Sequence, residues 1–192
     1  MILPYCGSEF QKKFNTATLT RFYAIWFLFY DFVCGRAFVT EHRRLEGGSI
    51  VVLEWIWTKL KTVCDGDTIV VWNGFQDIRV RLAWIDAPED GQPFCGYARD
   101  TLMRILESQD LCIRKLGEDC YGRWICQVQT VSGKDVSTEM LRSGWAFYYS
   151  PKHPSRNHEF VARSAIAEGL GLYAIEGYTK PWEKRKKKGL PC

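Results

Sequence analysis

Residues 65–89 constrain the fold of this chain more than any other stretch, because they place three carboxylates around a strand that carries an arginine. The carboxylates belong to Asp67, Asp86 and Glu89, and the arginine is Arg81. Each acid lies at a turn or a strand end, where a side chain can leave the packed body of the protein and meet a ligand. Gly66 gives the Asp-Gly-Asp-Thr segment the backbone freedom of a turn. Pro88 ends the second strand, because proline lacks the N–H that a sheet requires.

Residues 79–85 are predicted to form one extended strand. Val80, Leu82 and Trp84 would then share an apolar face, and Arg81 would point to the other side. Such a strand suits the wall of a barrel, with the core inside and an anionic partner outside. Two or three carboxylates near one arginine can hold a hard divalent cation beside a bound anion. Either acidic turn alone is more often structural than catalytic, but the two together around an arginine favour a functional site.

Three blocks of sequence, in this order, resemble the signature of the staphylococcal nuclease (thermonuclease) family. They are Asp-Gly-Asp-Thr at 65–68, Arg-Leu-Ala-Trp-Ile-Asp-Ala-Pro-Glu at 81–89 and Asp-Cys-Tyr-Gly-Arg at 119–123. Gly144-Trp145-Ala146 resembles a later segment of the same family, and the likeness covers residues 58–173. The resemblance implies a mainly β fold with α-helices (α+β), namely an OB-type barrel of five strands with about three packed helices.

The resemblance also implies a reaction, the calcium-dependent hydrolysis of phosphodiester bonds in DNA and RNA. By motif position, Asp67 and Asp86 would bind Ca²⁺ through their carboxylates, and Ala87 would supply its backbone carbonyl. The family usually has threonine at the position of Ala87. Because the ligand there is the main chain, we expect the departure to be tolerated, with an altered rate or affinity as its effect.

The remaining site residues are also implied by motif position. Glu89 matches the family's glutamate that positions or deprotonates the attacking water, and Arg81 and Arg123 match its two phosphate-binding arginines. Planar guanidinium groups can follow the charge that develops on a phosphate in the transition state. Tyr121 either lines the site and stacks on a base, or is a packed aromatic of the loop.

Two other functions stay open beside the live nuclease. One is a catalytically silent OB-fold module that binds nucleic acid or a protein, and the other is a membrane-tethered interaction protein. The complete set of five charged side chains counts against both readings. Ala87 and the unusual N-terminus count for the silent module.

Local patterns predict the remaining elements. Asn73-Gly74 predicts a hairpin turn. Strands are predicted at 49–57, 58–64, 69–72, 111–116 and 124–131. Helices are predicted at 97–107, 138–143 and 157–168, with Ser137 as the N-cap of the second and Asn157 opening the third.

The chain is predicted to divide into an N-terminal extension (1–48), the nuclease-like domain (49–175) and a basic tail (176–192). Residues 21–39 are apolar and aromatic but are interrupted by Asp31. They are either an export signal or anchor, or a helix packed on the domain, or non-native sequence from a misassigned start. The tail is expected to be disordered and solvated, with sequence-independent phosphate contacts as the alternative and no specific role.

The formal net charge of +4 favours a polyanionic substrate, DNA or RNA or both, bound without sequence specificity by a monomer. The eight cysteines favour an exported or membrane-associated protein over a cytoplasmic one. Cys112 and Cys126 either form a cross-strand disulfide or are small buried apolar residues. His153 and His158 are expected on a surface loop and at a helix start, outside any catalytic role.

Overall fold

The computed structural model describes residues 26–27, 38–44, 50–107, 110–152 and 154–189, with side chains from residue 55 onward. Apart from two short strand stretches, the predicted signal or anchor segment at 21–39 lies outside the described residues, and so does His153. Among the described residues, no helix combines the length and the apolar character that a membrane span requires.

The described strands form one large sheet that closes on itself and one small two-stranded sheet. The strands are β1 (Trp26–Phe27), β2 (Phe38–Arg44), β3 (Ile50–Val63), β4 (Thr68–Trp72), β5 (Asp77–Leu82), β6 (Ile85–Asp86), β7 (Asp110–Glu118), β8 (Trp124–Thr130) and β9 (Phe147–Tyr148). In the barrel the order is β3-β4-β5-β8-β7, and β7 pairs back onto β3. Among the described strands, only β5 and β8 pair in parallel. This closure confirms the predicted five-stranded barrel.

Alternating apolar residues build the barrel wall. Ile69 and Val71 of β4 and Val80 and Leu82 of β5 are buried, because side chains at every second position of a strand share a face. The predicted hairpin joins these two strands. The Asn73 side-chain oxygen accepts hydrogen bonds at 3.0 Å from two backbone N–H groups of the turn, and Gly74 has a φ of +93° that favours glycine.

Four α-helices and one 3-10 helix accompany the barrel within the described residues. They are α1 (Cys95–Ile105), α2 (Val136–Arg142), α3 (Arg156–Ala167), the 3-10 helix (Gly171–Ala174) and α4 (Pro181–Lys187). The first three correspond to the predicted helices, and each begins one or two residues before its predicted start. Residues of α1, α2 and α3 join the barrel interior in one apolar core.

The cap of α2 is Asp135, so the prediction of Ser137 was wrong. The Asp135 carboxylate accepts the N–H of Thr138 at 2.8 Å, while Ser137 is buried inside the helix. His158 of α3 and Gln127 of β8 also hydrogen bond to the Asp135 carboxylate, at 3.0 and 2.9 Å. Burial raises the pKa of Asp135, but these hydrogen bonds outweigh it and hold that pKa below its usual value.

The predicted strand at 79–85 is interrupted, which corrects the expectation that Trp84 shares a face with Val80 and Leu82. β5 ends at Leu82, and Trp84 adopts a φ of +67° in a turn before β6. Its ring stacks on the imidazole of His158 at a centroid distance of 4.2 Å. His158 therefore begins a helix as predicted but is buried, not on the surface.

The register of β7 and β8 decides between the two alternatives for Cys112 and Cys126. Cys112 pairs with Gln129 and Cys126 pairs with Lys115, so the two thiols do not lie opposite one another. Both are free, and burial raises their pKa values to about 11 for Cys112 and about 12 for Cys126. The structure excludes the cross-strand disulfide and leaves the alternative of small apolar residues, with Cys126 buried and Cys112 half-buried.

The expectation of a disordered tail was also wrong, because residues 181–187 form α4. Pro181 stands at the first helical position, where its missing N–H carries no penalty. Trp182 stacks on Tyr149 at 5.1 Å and packs edge-on against Phe147 at 5.9 Å. The Gln92 side-chain amide donates to the carbonyl of Thr179 at 2.9 Å. Aromatic packing therefore holds the basic segment against the barrel.

Candidate nuclease site

The Asp-Gly-Asp-Thr turn packs closely against the side chains of two alanines. A Cβ atom at Gly66 would lie 2.6 Å from the Cβ of Ala87 and 2.7 Å from the Cβ of Ala98 in α1. Only glycine allows this approach, since real Cβ contacts are never so short. The Asp65 side chain accepts the N–H of Asp67 at 2.9 Å and so holds the turn. Burial and the charge of Asp67 raise the pKa of Asp65 to about 7.

Asp67 is buried and its two oxygens have separate partners. Oδ2 accepts the backbone N–H of Ala87 at 2.7 Å and lies 3.0 Å from Nη1 of Arg81. Oδ1 accepts the hydroxyl of Thr68 at 3.1 Å. The side chain of Asp67 thus lies directly beside the backbone of Ala87, the predicted metal ligand that would use its carbonyl.

Asp86 is fully buried at the end of β6. Its Oδ1 lies 2.7 Å from Nη2 of Arg81, so one guanidinium connects Asp67 with Asp86. Burial raises the pKa of Asp86, while the charges of Arg81 and Arg185 act in the opposite direction. The predicted strand geometry, with Arg81 leaving the barrel wall between the two acids, is present.

Glu89 lies in the turn that follows Pro88. The side chain of Gln92 accepts its N–H at 2.8 Å, and the N–H of Gln92 donates back to the Glu89 carbonyl at 2.8 Å. The Glu89 side chain is 41% exposed, whereas those of Asp67 and Asp86 are buried. Among the three predicted acids, Glu89 is therefore the one that bulk water reaches.

Arg123 is positioned by Asp119 at the other end of the same loop. The carboxylate accepts the N–H groups of Tyr121 and Arg123 with one oxygen, at 2.9 and 3.0 Å, and Nε of Arg123 with the other, at 2.6 Å. Burial raises the pKa of Asp119, but these bonds prevail and lower it. Arg123 Nη1 then donates to the hydroxyl of Thr68 at 3.1 Å. Thr68 links Arg123 to Asp67, a connection that the sequence analysis missed.

The structure therefore brings all the predicted charged residues to one end of the barrel. Tyr121, also predicted, lies beside them with its ring 5.5 Å from the Arg123 guanidinium and 53% of its surface exposed. A cavity of about 190 Å³ adjoins the two arginines. Its lining includes Trp84, Asp119, Tyr149 and Lys152 in addition to Arg81 and Arg123.

Arg185 of α4 is a further member of the cluster that the sequence analysis missed. Its Nη2 lies 2.8 Å from Asp86 Oδ2, its Nη1 lies 3.0 Å from Asp86 Oδ1, and Nη1 also contacts Glu89. One local signal was available. Pro181 marks a helix start, and Trp182 and Arg185 three residues apart then share one face of that helix.

The carboxylates of this cluster have the chemistry that a hard divalent cation requires. Asp67, Asp86 and Glu89 offer carboxylate oxygens, which calcium prefers, and the Arg185 guanidinium already acts as a cation shared between Asp86 and Glu89. In the conformation described, these oxygens contact arginines. Within the described part of the chain, no group of three or more His, Cys, Asp or Glu side chains has an arrangement that would hold a metal ion.

Comparison with known proteins points to one family. The family model of staphylococcal nuclease homologues matches residues 79–172. A micrococcal nuclease of Shigella flexneri is 33% identical over 135 residues, which cover 65% of this chain and 77% of that protein. An uncharacterized endonuclease of Escherichia coli is 29% identical over 126 residues, 66% of this chain and 82% of the relative. Staphylococcal-like nuclease CAN1 of Arabidopsis thaliana is 34% identical over 110 residues, 57% of this chain and 34% of that protein.

Proposed function

This chain belongs to the family of staphylococcal nuclease homologues, and we propose that it is a calcium-dependent nuclease that hydrolyses phosphodiester bonds in DNA, RNA or both. One observation carries the proposal. Five charged residues that span positions 67 to 123 meet at one barrel end, where Arg81 bridges two acids and Thr68 joins Arg123 to Asp67.

Asp67 and Asp86 would hold the cation with their carboxylates, together with the backbone carbonyl of Ala87. Bound calcium supplies Lewis-acid polarisation of a phosphoryl oxygen. The hydrogen bond from the Ala87 N–H to Asp67 keeps the two segments adjacent. Ala87 contributes its backbone groups here, which supports the expectation that the missing threonine hydroxyl is tolerated.

Arg81 and Arg123 bind the phosphate of the scissile bond. Asp119 accepts a hydrogen bond from Nε of Arg123, and Nη1 of the same guanidinium donates to the hydroxyl of Thr68. Exchange of such a hydroxyl contact for a phosphate oxygen replaces a neutral partner with a charged one, which strengthens the hydrogen bond. Arg81 lies in β5 and Arg123 immediately precedes β8, and these two strands pair in parallel.

Glu89 accepts the proton of the attacking water. Its partial exposure gives water access to the carboxylate, and the Gln92 contacts fix the backbone beneath it. The water oxygen attacks phosphorus, its proton passes to the Glu89 carboxylate, and the bond from phosphorus to the leaving oxygen breaks. The leaving oxygen departs with the electron pair of that bond and takes up a proton from solvent. Asp86 is less suited to this role, because its buried carboxylate has no direct access to water.

Substrate selection is expected to depend on phosphate and stacking contacts. The cavity lining offers arginine and lysine cations, and the half-exposed ring of Tyr121 lies beside Arg123. Cations recognise the phosphate backbone, and aromatic faces accept every base. We therefore propose binding without sequence specificity.

Digestion of a single-stranded DNA oligonucleotide tests the proposal. The wild type should cleave with calcium and stop with EDTA, and Arg123→Ala should lose about a hundredfold in rate. Arg163→Ala is the matched control, because its exposed side chain pairs with Glu159 on α3 in the described part of the chain and should leave the rate unchanged. Cleavage that survives EDTA or the Arg123 change would refute the assignment.

The silent OB-fold module remains a second candidate because Arg185 engages Asp86 and Glu89 in the conformation described. A carboxylate pair neutralised by an arginine is what a binding module without catalysis would retain. A folded protein that binds the oligonucleotide but does not cleave it, with calcium at saturating concentration, would favour this alternative.

A further inference from the structure

We propose that Arg185 and a divalent cation exclude one another at Asp86 and Glu89, so that α4 must release Arg185 before the cation can bind. The inference rests on the cation site of the proposed function. It assigns the C-terminal helix, which lies beyond the end of the family match at residue 172, a direct part in controlling that site.

The first argument is that the two cations need the same oxygens. Arg185 donates to both oxygens of Asp86, at 2.8 and 3.0 Å, and to the carboxylate of Glu89. Calcium requires direct contact with carboxylate oxygens at about 2.3–2.6 Å. The guanidinium lies where those lone pairs point, and two positive centres this close also repel one another.

The second argument is that the surroundings of Arg185 do not satisfy all of its hydrogen-bond donors. The side chain is only 13% exposed, and its Nε is buried without a hydrogen-bond partner among the described residues. A buried arginine with a purely structural role satisfies its donors, because an unpaired buried N–H is unfavourable. The guanidinium is held by the two carboxylates and by the ring of Tyr149, whose centroid lies 6.0 Å from its central carbon.

The third argument is that α4 can leave without disturbing the main apolar cluster, which among the described residues contains no member beyond Ala162. Trp182 holds α4 by stacking on Tyr149 and packing edge-on against the buried Phe147, and Pro181 is buried as well. The Lys184 ammonium adds a hydrogen bond to the carbonyl of Asp90 at 3.3 Å. A helix of seven residues is not stable alone, so its order depends on these contacts.

The consequence is a measurable reduction in cation affinity. When a site is competent only while Arg185 is undocked, the apparent dissociation constant is the intrinsic one divided by the undocked fraction. A helix that is docked about nine-tenths of the time would weaken cation binding about tenfold.

Calcium titration by isothermal calorimetry, without nucleic acid, tests the competition on the full chain. Arg185→Gln should bind calcium about tenfold more tightly than the wild type. Arg185→Lys should lie between them, because an ammonium keeps the charge but cannot span both carboxylates. Lys187→Gln is the matched control, since it removes one exposed charge from the same helix and reports the general electrostatic effect.

A second measurement needs no variant. Amide hydrogen exchange of residues 181–189 in the wild type should accelerate when calcium is added, because α4 undocks, while exchange in the barrel strands should slow or stay the same.

The outcomes separate this inference from the proposed function. Calcium binding of equal strength in wild type, Arg185→Gln and Lys187→Gln, with unchanged exchange in 181–189, would overturn the competition and leave the nuclease intact. Weaker binding by Arg185→Gln would also overturn it, because Arg185 would then be a positioning residue for the carboxylates. Absence of calcium binding in all four proteins would reject the cation site itself, and the competition with it.

Discussion

Asp119→Asn is the perturbation that best isolates the positioning of Arg123. Asparagine keeps an oxygen for the N–H groups of Tyr121 and Arg123, so the loop should hold its shape. Its amide group would face Nε of Arg123, where the carboxylate oxygen now accepts a hydrogen bond at 2.6 Å. The substitution therefore removes the ion pair and places one donor against another.

The size of the expected loss in kcat/KM follows from the contact between Arg123 and Asp119. The side chains of Arg123 and Asp119 are 21% and 8% exposed, so solvent screens their interaction only in part. A hydrogen bond to a charged group contributes about 1.5–3 kcal/mol, and about 1.4 kcal/mol corresponds to a tenfold change in rate. We expect kcat/KM for DNA cleavage to fall about 10- to 100-fold, with calcium affinity unchanged.

The assay is a double-mutant cycle on oligonucleotide cleavage. Asp119→Asn should add little to Arg123→Ala, because Asp119 acts through Arg123. Asp77→Asn is the control, since its ion pair with Lys61 is half exposed and should contribute almost nothing. Fully additive losses in the double variant would refute the positioning role, and so would wild-type kcat/KM in the single variant.

Three further predictions concern the base, the turn and pH. Glu89→Gln should depress turnover more than nucleic-acid affinity, measured by kcat and by fluorescence anisotropy; equal losses in both would contradict the role as proton acceptor. Gly66→Ala should destabilise the protein by about 1–3 kcal/mol in urea unfolding, because its Cβ would overlap Ala87 and Ala98; an unchanged midpoint would show that the turn can shift. Asp135 has a lowered pKa, so its contribution to stability is present above the ordinary value of 3.8 and is lost as pH falls through the lower folded value. Asp135→Asn should therefore reduce the melting temperature at pH 7, and the difference from wild type should shrink towards pH 3; a constant difference would exclude the ionised carboxylate as its cause.

Short-range patterns were reliable wherever one local interaction decides the structure. Alternating apolar residues predicted β4 and β5, and Asn73-Gly74 predicted the turn between them. The cap of α2 shows the limit of such patterns. Asp135 and Ser137 are both good N-cap residues, and the choice between them depends on His158 and Gln127, which approach Asp135 from other elements.

The sequence by itself determined the family, the barrel and the residues of the predicted site, because those motifs are contiguous and their turn chemistry is local. Only the tertiary structure decided what those residues contact. Arg185 lies 99 positions after Asp86, within a basic run that is unremarkable in sequence, and it reaches the carboxylates because Trp182 packs α4 against Tyr149. Contacts at such separation depend on how whole elements pack: Pro181 indicates the helix start and the shared face of Trp182 and Arg185, but not the surface against which that face packs.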